Sequence, residues 1–385
     1  MASRSRVIYI AHTGIEYSET FLSQTLQSFS ERFDVCFLSG AKTRKSPDVC
    51  PTYLLGFNHL NLIERVYLRL VKCFSSGVTA EWEVRSRKAI RRVRPFLRKG
   101  DFVFIEYGVS AVLLRPLIEK MGLKVHFTLH GYDASALLNH DFYRTELKRV
   151  FELCEYCFVP SHHVRRRLAV DLGVYDKFVV LPCNPDPSVG ESKQAAVKNK
   201  IVALGRLSEK KSPFALIEAM RLIVSEVPDA RLYLIGDGPL YGEIRKRIVD
   251  LGLELSVELM GALPHELALI HLKEAHIFLH HAVTSLNGDQ EGLPVAIMEA
   301  LMLKKPIIST IHSGIPEVLV HGENGWLVQE HDFEGMARFA VELLLGNLSL
   351  SSSTYEPLSR VQVISDVVDA ACNGLRDDIF LGGKR

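Results

Sequence analysis

Short runs rich in β-branched and aromatic residues recur along the chain, separated by longer stretches with helical spacing. "RVIYIAH", "DVCFLS", "DFVFIEY", "KVHFTLHG" and "EYCFVPS" come before residue 182, and "KIVALG", "ARLYLIG", "AHIFLHH" and "KPIIST" come from residue 200 onward. Strands that alternate with helices imply parallel sheets, so the chain reads as α/β, of the doubly wound kind.

At 385 residues the chain exceeds one ordinary core and suits two domains, each burying its own. The segment "PCNPDPSVGESKQAAVKNK", residues 182 to 200, is polar, rich in Pro, Ser and Lys, and without apolar periodicity. It reads as an interdomain linker. The expected organisation is a Rossmann-like domain over 1–185, a linker over 186–200, a second Rossmann-like domain over 201–346, and a tail over 347–385. The tail ends in a helix-like segment, "LSRVQVISDVVDAACNGL", expected to return toward the first domain. Two such domains usually face each other across a cleft. Loops at the carboxyl ends of strands form the ligand crevice of open α/β sheets, so the residues just after each strand are where chemistry is expected.

Composition narrows the classes further. A net charge of +1 with 47% hydrophobic and 24% charged residues describes a globular protein with no global pull toward nucleic acid. Seven cysteines, an odd number without paired spacing, favour a reducing compartment, and Cys154 and Cys157 read as buried structural thiols. The apolar stretch Val7 to Ala11 is too short for a signal peptide and reads as a first strand. No apolar run approaches the roughly 20 residues that span a bilayer, which points to a soluble or peripheral cytoplasmic protein. Arg65 to Lys99 is strongly basic, and Arg165, Arg166 and Arg167 form a second cluster. Such faces either dock on anionic headgroups or are simply solvated, and the sequence leaves both readings open.

Several residues fall at the expected crevice. Gly292-Leu293-Pro294 precedes a helix pattern, with Pro suited to its first turn, and a helix start with free N–H groups seats an anion such as phosphate. Glu299 lies eight positions after Glu291, and its helical neighbours Val295, Ala296, Met302 and Leu303 are all apolar. A carboxylate there is either exposed at the helix edge or needs hydrogen-bond donors, from the protein or from the vicinal hydroxyls of a ribose. In "ALGRLSEKKSP" a strand ends at Gly205, and Arg206 and Lys211 follow. They could neutralise a diphosphate or form an ordinary basic loop. Gly236-Asp237-Gly238-Pro239 is a further strand-to-glycine turn, and His130 and Asp133 follow the strand in "FTLHGYDA". No Asp-x-Asp and no acid or His cluster with ligand spacing occurs, so no metal is expected. A diphosphate would be met by protein cations and a helix dipole.

"GRLSEKK", "LIGDGPL", "EGLPVAIMEAL", "HSGIPEVL" and "HGENGWLV" occur in this order in the second half. With them the chain resembles glycosyltransferase family 4, the retaining nucleotide-sugar transferases of GT-B fold. "SETF", "LHGYD" and "NGDQEGLPVAIMEAL" resemble the exopolysaccharide branch of that family, of colanic-acid and amylovoran type. The resemblance implies two Rossmann-like domains, a UDP-, GDP- or ADP-type sugar donor, no cofactor, and a glycan or lipid-linked acceptor. It implies exopolysaccharide or lipopolysaccharide biosynthesis. Peripheral contact with the cytoplasmic membrane face would come through the basic segments of the first half, if these dock rather than stay solvated. It further implies that Arg206 and Lys211 grip the diphosphate, Glu299 holds the ribose, Glu291 faces the transferred sugar, and Gly292, Leu293 and Pro294 lie against phosphate. Gly236 would belong to the donor site, His130 would lie near the sugar, and Gly14 near the diphosphate or acceptor. Retention would come from same-face attack in which the leaving phosphate takes the acceptor proton. A sugar-nucleotide epimerase of the same fold and a non-catalytic nucleotide-sugar binder are the alternatives. A mere binder would have no use for a sugar-facing Glu291.

Overall fold

A computed structural model describes residues 5–12, 20–41, 49–57, 65, 77–183, 185, 189 and 194–351. The chain divides into two compact units. Among the described residues, one holds the chain up to Pro160 and Val164–Pro182; the other holds Ser161–His163 and the described residues from Cys183 to Ser351. The division thus falls at Pro182, just ahead of the expected boundary, and Val189, within the expected linker, is buried in the second unit's core beside Val202 and Phe278. The expected returning helix, and Gly14, lie outside the described residues.

The first unit is a seven-stranded sheet of order β3-β2-β1-β4-β5-β6-β7. Its strands are β1 (Arg6–Ala11), β2 (Asp34–Ser39), β3 (Thr52–Leu54), β4 (Phe102–Glu106), β5 (Lys124–Thr128), β6 (Cys154–Val159) and β7 (Phe178–Val180). Every pairing is parallel. Val7 through Ala11 and Val103 through Ile105 are buried, as strands covered on both faces must be. Tyr9 stacks on Phe104 at 5.2 Å, with Phe29 and Phe37 edge-on to it. The described helices include α1 (Thr20–Arg32), α2 (Gly77–Val93), α3 (Gly108–Met121), α4 (Asp141–Leu153) and α5 (His162–Leu172). α3 stops at Gly122, whose φ of +60° lets its N–H reach back to Ile118 O.

The second unit is a six-stranded parallel sheet of order β10-β9-β8-β11-β12-β13. Its strands are β8 (Lys200–Leu204), β9 (Arg231–Ile235), β10 (Val257–Gly261), β11 (Ile277–Leu279), β12 (Ile307–Thr310) and β13 (Trp326–Val328). Its helices are α6 (Pro213–Glu226), α7 (Tyr241–Asp250), α8 (His265–Glu274), α9 (Val295–Met302) and α10 (Phe333–Leu344). In both sheets the strand order reverses beside the unit's first strand, between β1 and β4 and between β8 and β11. Loops leaving these strands diverge to opposite faces and open a crevice at their carboxyl ends.

Candidate functional site

In the second unit that crevice is bounded by the loop after β8, Gly205 to Lys211, which rests on the loop after β9. Leu207 N donates to Asp237 O at 3.0 Å, and Leu240 N to Leu207 O at 3.1 Å. The approach is so close that a Cβ at Gly236 would stand 1.9 Å from Gly205 O, and one at Gly238 2.4 Å from Leu207 O. Gly236 also has φ +147°, so the glycines of "GDGPL" are required by backbone contact and conformation together. Gly236 therefore shapes the loop that carries the cations. The loop ends in a short 3₁₀ turn, Glu209–Lys211, then Ser212 in the left-handed region and Pro213 starting α6. Arg206 is exposed and makes no ion pair among the described residues.

Lys211 instead turns inward. Its ammonium lies 3.2 Å from Glu291 Oε2 and 3.3 Å from His280 Nε2, just beyond β11. Lys210 joins from the same turn, 3.1 Å from Asp289 and 3.6 Å from Glu291 Oε1. Burial pushes the Glu291 carboxyl up, but the ammonium groups of Lys211 and Lys210 outweigh it and hold the group at about 2. Glu291 is therefore a fixed anion at neutral pH. Burial and Lys211 hold His280 well below the usual imidazole range. An ammonium can only donate, so Nε2 of the neutral ring accepts and the ring proton sits on Nδ1, 3.2 Å from Ser309 Oγ.

α9 starts at Val295, one residue later than expected, with Pro294 as the extended residue ahead of it. No side chain caps this start, which leaves the first N–H groups of the helix for solvent or a ligand. Gly292, Leu293 and Pro294 are buried. Glu299 is 4% exposed among Ile297, Met298, Ala300 and Leu301, so it is not an edge residue. Its donor comes from the protein: His265 Nε2, at the start of α8, lies 2.6 Å from Glu299 Oε1. His265 is thus a neighbour of the predicted site that the sequence reading passed over.

The first unit's crevice holds a second polar cluster. Glu106, the last residue of β4, is fully buried and takes the Tyr9 hydroxyl at 2.5 Å, the Thr128 hydroxyl, and His130 Nε2 at 3.0 Å. A carboxylate only accepts, so this network turns the protonated Nε2 of His130 inward. Asp133 ties the loop together, its two oxygens accepting from His130 N and Gly108 N at 2.8 Å each. Between them Tyr107 holds a φ of +71°, strained for an aromatic residue, with its ring 4.9 Å from that of His130. Glu106 lies outside the sequence expectations; the signal that marks it is an acid at the end of an apolar strand-like run, "DFVFIE".

Cys154 and Cys157 are free and buried, and burial pushes the Cys154 thiol up to about 12. Among the described residues no His, Cys, Asp and Glu group could hold a metal, and no helix is long and apolar enough to cross a membrane. On α2 the basic residues are partly paired, Arg85 with Glu81 at 2.7 Å and Arg87 with Glu83 at 3.7 Å, while Arg91 and Arg92 on the helix and Arg94, Arg98 and Lys99 just after it are exposed.

Residues 190–354 match the family model for glycosyl transferases group 1. That match falls within the second unit. The chain is 31% identical across 258 residues to the amylovoran biosynthesis glycosyltransferase AmsK of Erwinia amylovora, covering 66% of this chain and 63% of AmsK. It is 34% identical across 236 residues to the colanic acid biosynthesis protein WcaL of Escherichia coli, covering 60% of this chain and 57% of WcaL. The match spans less than two thirds of either relative. The solved structure of Anabaena HepE in complex with UDP and glucose superposes with a TM-score of 0.70 at 14% identity, over 95% of this chain and 100% of that one. The two doubly wound sheets are those of the GT-B fold.

Proposed function

We propose that the chain is a retaining glycosyltransferase that moves a sugar from a nucleoside diphosphate donor to a glycan or lipid-linked acceptor in exopolysaccharide or lipopolysaccharide biosynthesis. The observation that carries this reading is the Lys211–Glu291 pair, 3.2 Å apart at the switch point of the second unit's sheet, beside an uncapped helix start. Arg206 and Lys211 neutralise the diphosphate, the amides at the start of α9 receive its phosphate over the Gly292, Leu293 and Pro294 turn, and Glu299 holds the ribose. Gly236 keeps the cation loop in place. Protein cations meet the leaving group's charge, so no metal is required.

Glu291, held near 2, is too weak a base to take an acceptor proton at neutral pH. It serves instead as a fixed acceptor for a sugar hydroxyl, and the leaving phosphate takes the proton during same-face attack. His130, fixed by Glu106 within the first unit, is assigned a role in transfer. HepE was solved with UDP and glucose, which supports a nucleotide-sugar donor of this class. We extend the reading to the cytoplasmic membrane face, supported by the exposed Arg91, Arg92, Arg94, Arg98 and Lys99. Co-sedimentation with anionic but not zwitterionic vesicles tests that extension.

A thermal-shift panel of UDP-, GDP- and ADP-sugars identifies the donor, because a ligand that binds only the folded state raises its melting temperature. With the stabilising donor and a lipid-linked glycan acceptor, Lys211→Ala and Glu291→Ala abolish transfer while far-UV circular dichroism stays unchanged. Undiminished turnover in both variants refutes the site.

A further inference from the structure

The segment after β12, His312-Ser313-Gly314, lies against the main chain of Glu291 and Gly292. Glu291 N donates to His312 Nε2 at 3.1 Å, Ser313 Oγ donates to Gly292 O at 3.1 Å, and Gly314 N to the same oxygen at 3.2 Å. An amide N–H cannot accept, so His312 Nε2 must present a lone pair and the ring proton must sit on Nδ1. Nδ1 is 2.6 Å from Glu330 Oε1, an acceptor placed to receive that proton. The other Glu330 oxygen accepts from Thr284 N at 2.9 Å. One carboxylate thereby pins Thr284 directly and, through His312, Glu291, the two ends of the loop that carries Asp289 to Lys210. The ring is 2% exposed, so solvent offers it little alternative partner.

We propose that His312, oriented by Glu330, is a positioning residue for transfer: as its neutral Nδ1–H tautomer it sets the Glu291 main chain, and with it the carboxylate, against the transferred sugar. The inference rests on the reading of Glu291 as sugar-facing. A side chain that offers no acceptor at this position leaves the buried Glu291 N–H without its partner and the turn free to shift.

The test measures kcat and donor KM for wild type, His312→Leu, His312→Gln and Glu291→Gln, with UDP, GDP and ADP binding and thermal melting alongside. His312→Leu should lower kcat about a hundredfold, the scale of a misplaced reacting group, with nucleotide affinity within a few fold of wild type. His312→Gln can accept from the Glu291 N–H and donate to Glu330, so it should retain most of the kcat, and it decides the matter should the Leu variant fail to fold. A folded His312→Leu within twofold of wild type, or a folded His312→Gln as impaired as the Leu variant is expected to be, overturns the inference. Full activity in Glu291→Gln overturns the reading of Glu291 itself. An inactive Glu291→Gln beside an active His312→Leu overturns only the role of His312.

Discussion

Glu291→Gln should flatten the acid side of the second unit's stability curve. The carboxyl moves from an ordinary 4.5 to about 2 on folding, and its side chain is only 12% exposed, so solvent screens the pair little. A depressed folded value means stability present above the unfolded value and lost as pH falls through the folded one. The displacement corresponds to about 3 kcal/mol at neutral pH, of which about 2 kcal/mol is gone by pH 3. Gln cannot titrate, so the variant loses this part of the dependence and is less stable at pH 7, where Lys210 and Lys211 face a neutral amide. The assay is urea unfolding followed by tryptophan fluorescence at pH 7 and pH 3. The chain has two tryptophans, so a Trp82→Phe background leaves Trp326, buried in β13, as the reporter of the second unit. Equal losses of stability on acidification in wild type and variant refute the electrostatic account of the pair.

Gly236→Ala should destabilise the second unit by about 3 kcal/mol or more, since its Cβ meets Gly205 O at 1.9 Å and its φ is +147°; the same urea titration measures it, and a change under 1 kcal/mol contradicts the loop contact. Glu106→Leu removes the acceptor for Tyr9, Thr128 and His130, so transfer should fall about a hundredfold and the first unit should lose about 1–3 kcal/mol, read from kcat and from Trp82 in a Trp326→Phe background. Glu299→Ala should raise donor KM about tenfold or more with a smaller change in kcat, the pattern of lost uniform binding. Treatment with EDTA should leave transfer unchanged, and a loss restored by Mg²⁺ would show that Arg206 and Lys211 do not suffice for the diphosphate.

The central strands were legible because burial on both faces demands continuous apolar runs. β3, β7, β10 and β13 were not, and these four are the sheet edges. An edge strand pairs on one side only and is half-exposed: Tyr53, Leu54 and Glu258 face solvent, and three of the four edges are three residues long. Little apolar patterning is needed to hold such a strand, so little is written. The cation loop and the Glu291 turn were legible for the opposite reason, since glycine, proline and charge at strand ends are costly unless the local backbone uses them.

The sequence by itself determined the doubly wound class and which glycines, cations and acids stand at strand ends, because these follow from short-range patterning. It could not say who meets whom. That Glu299 takes its donor from His265, that Glu106 lies beneath His130, and that Glu291 is held by Lys211 on one side and His312 on the other are contacts between residues 20 or more positions apart. Only the packing of parallel strands, which brings successive carboxyl ends together on one edge, decides them.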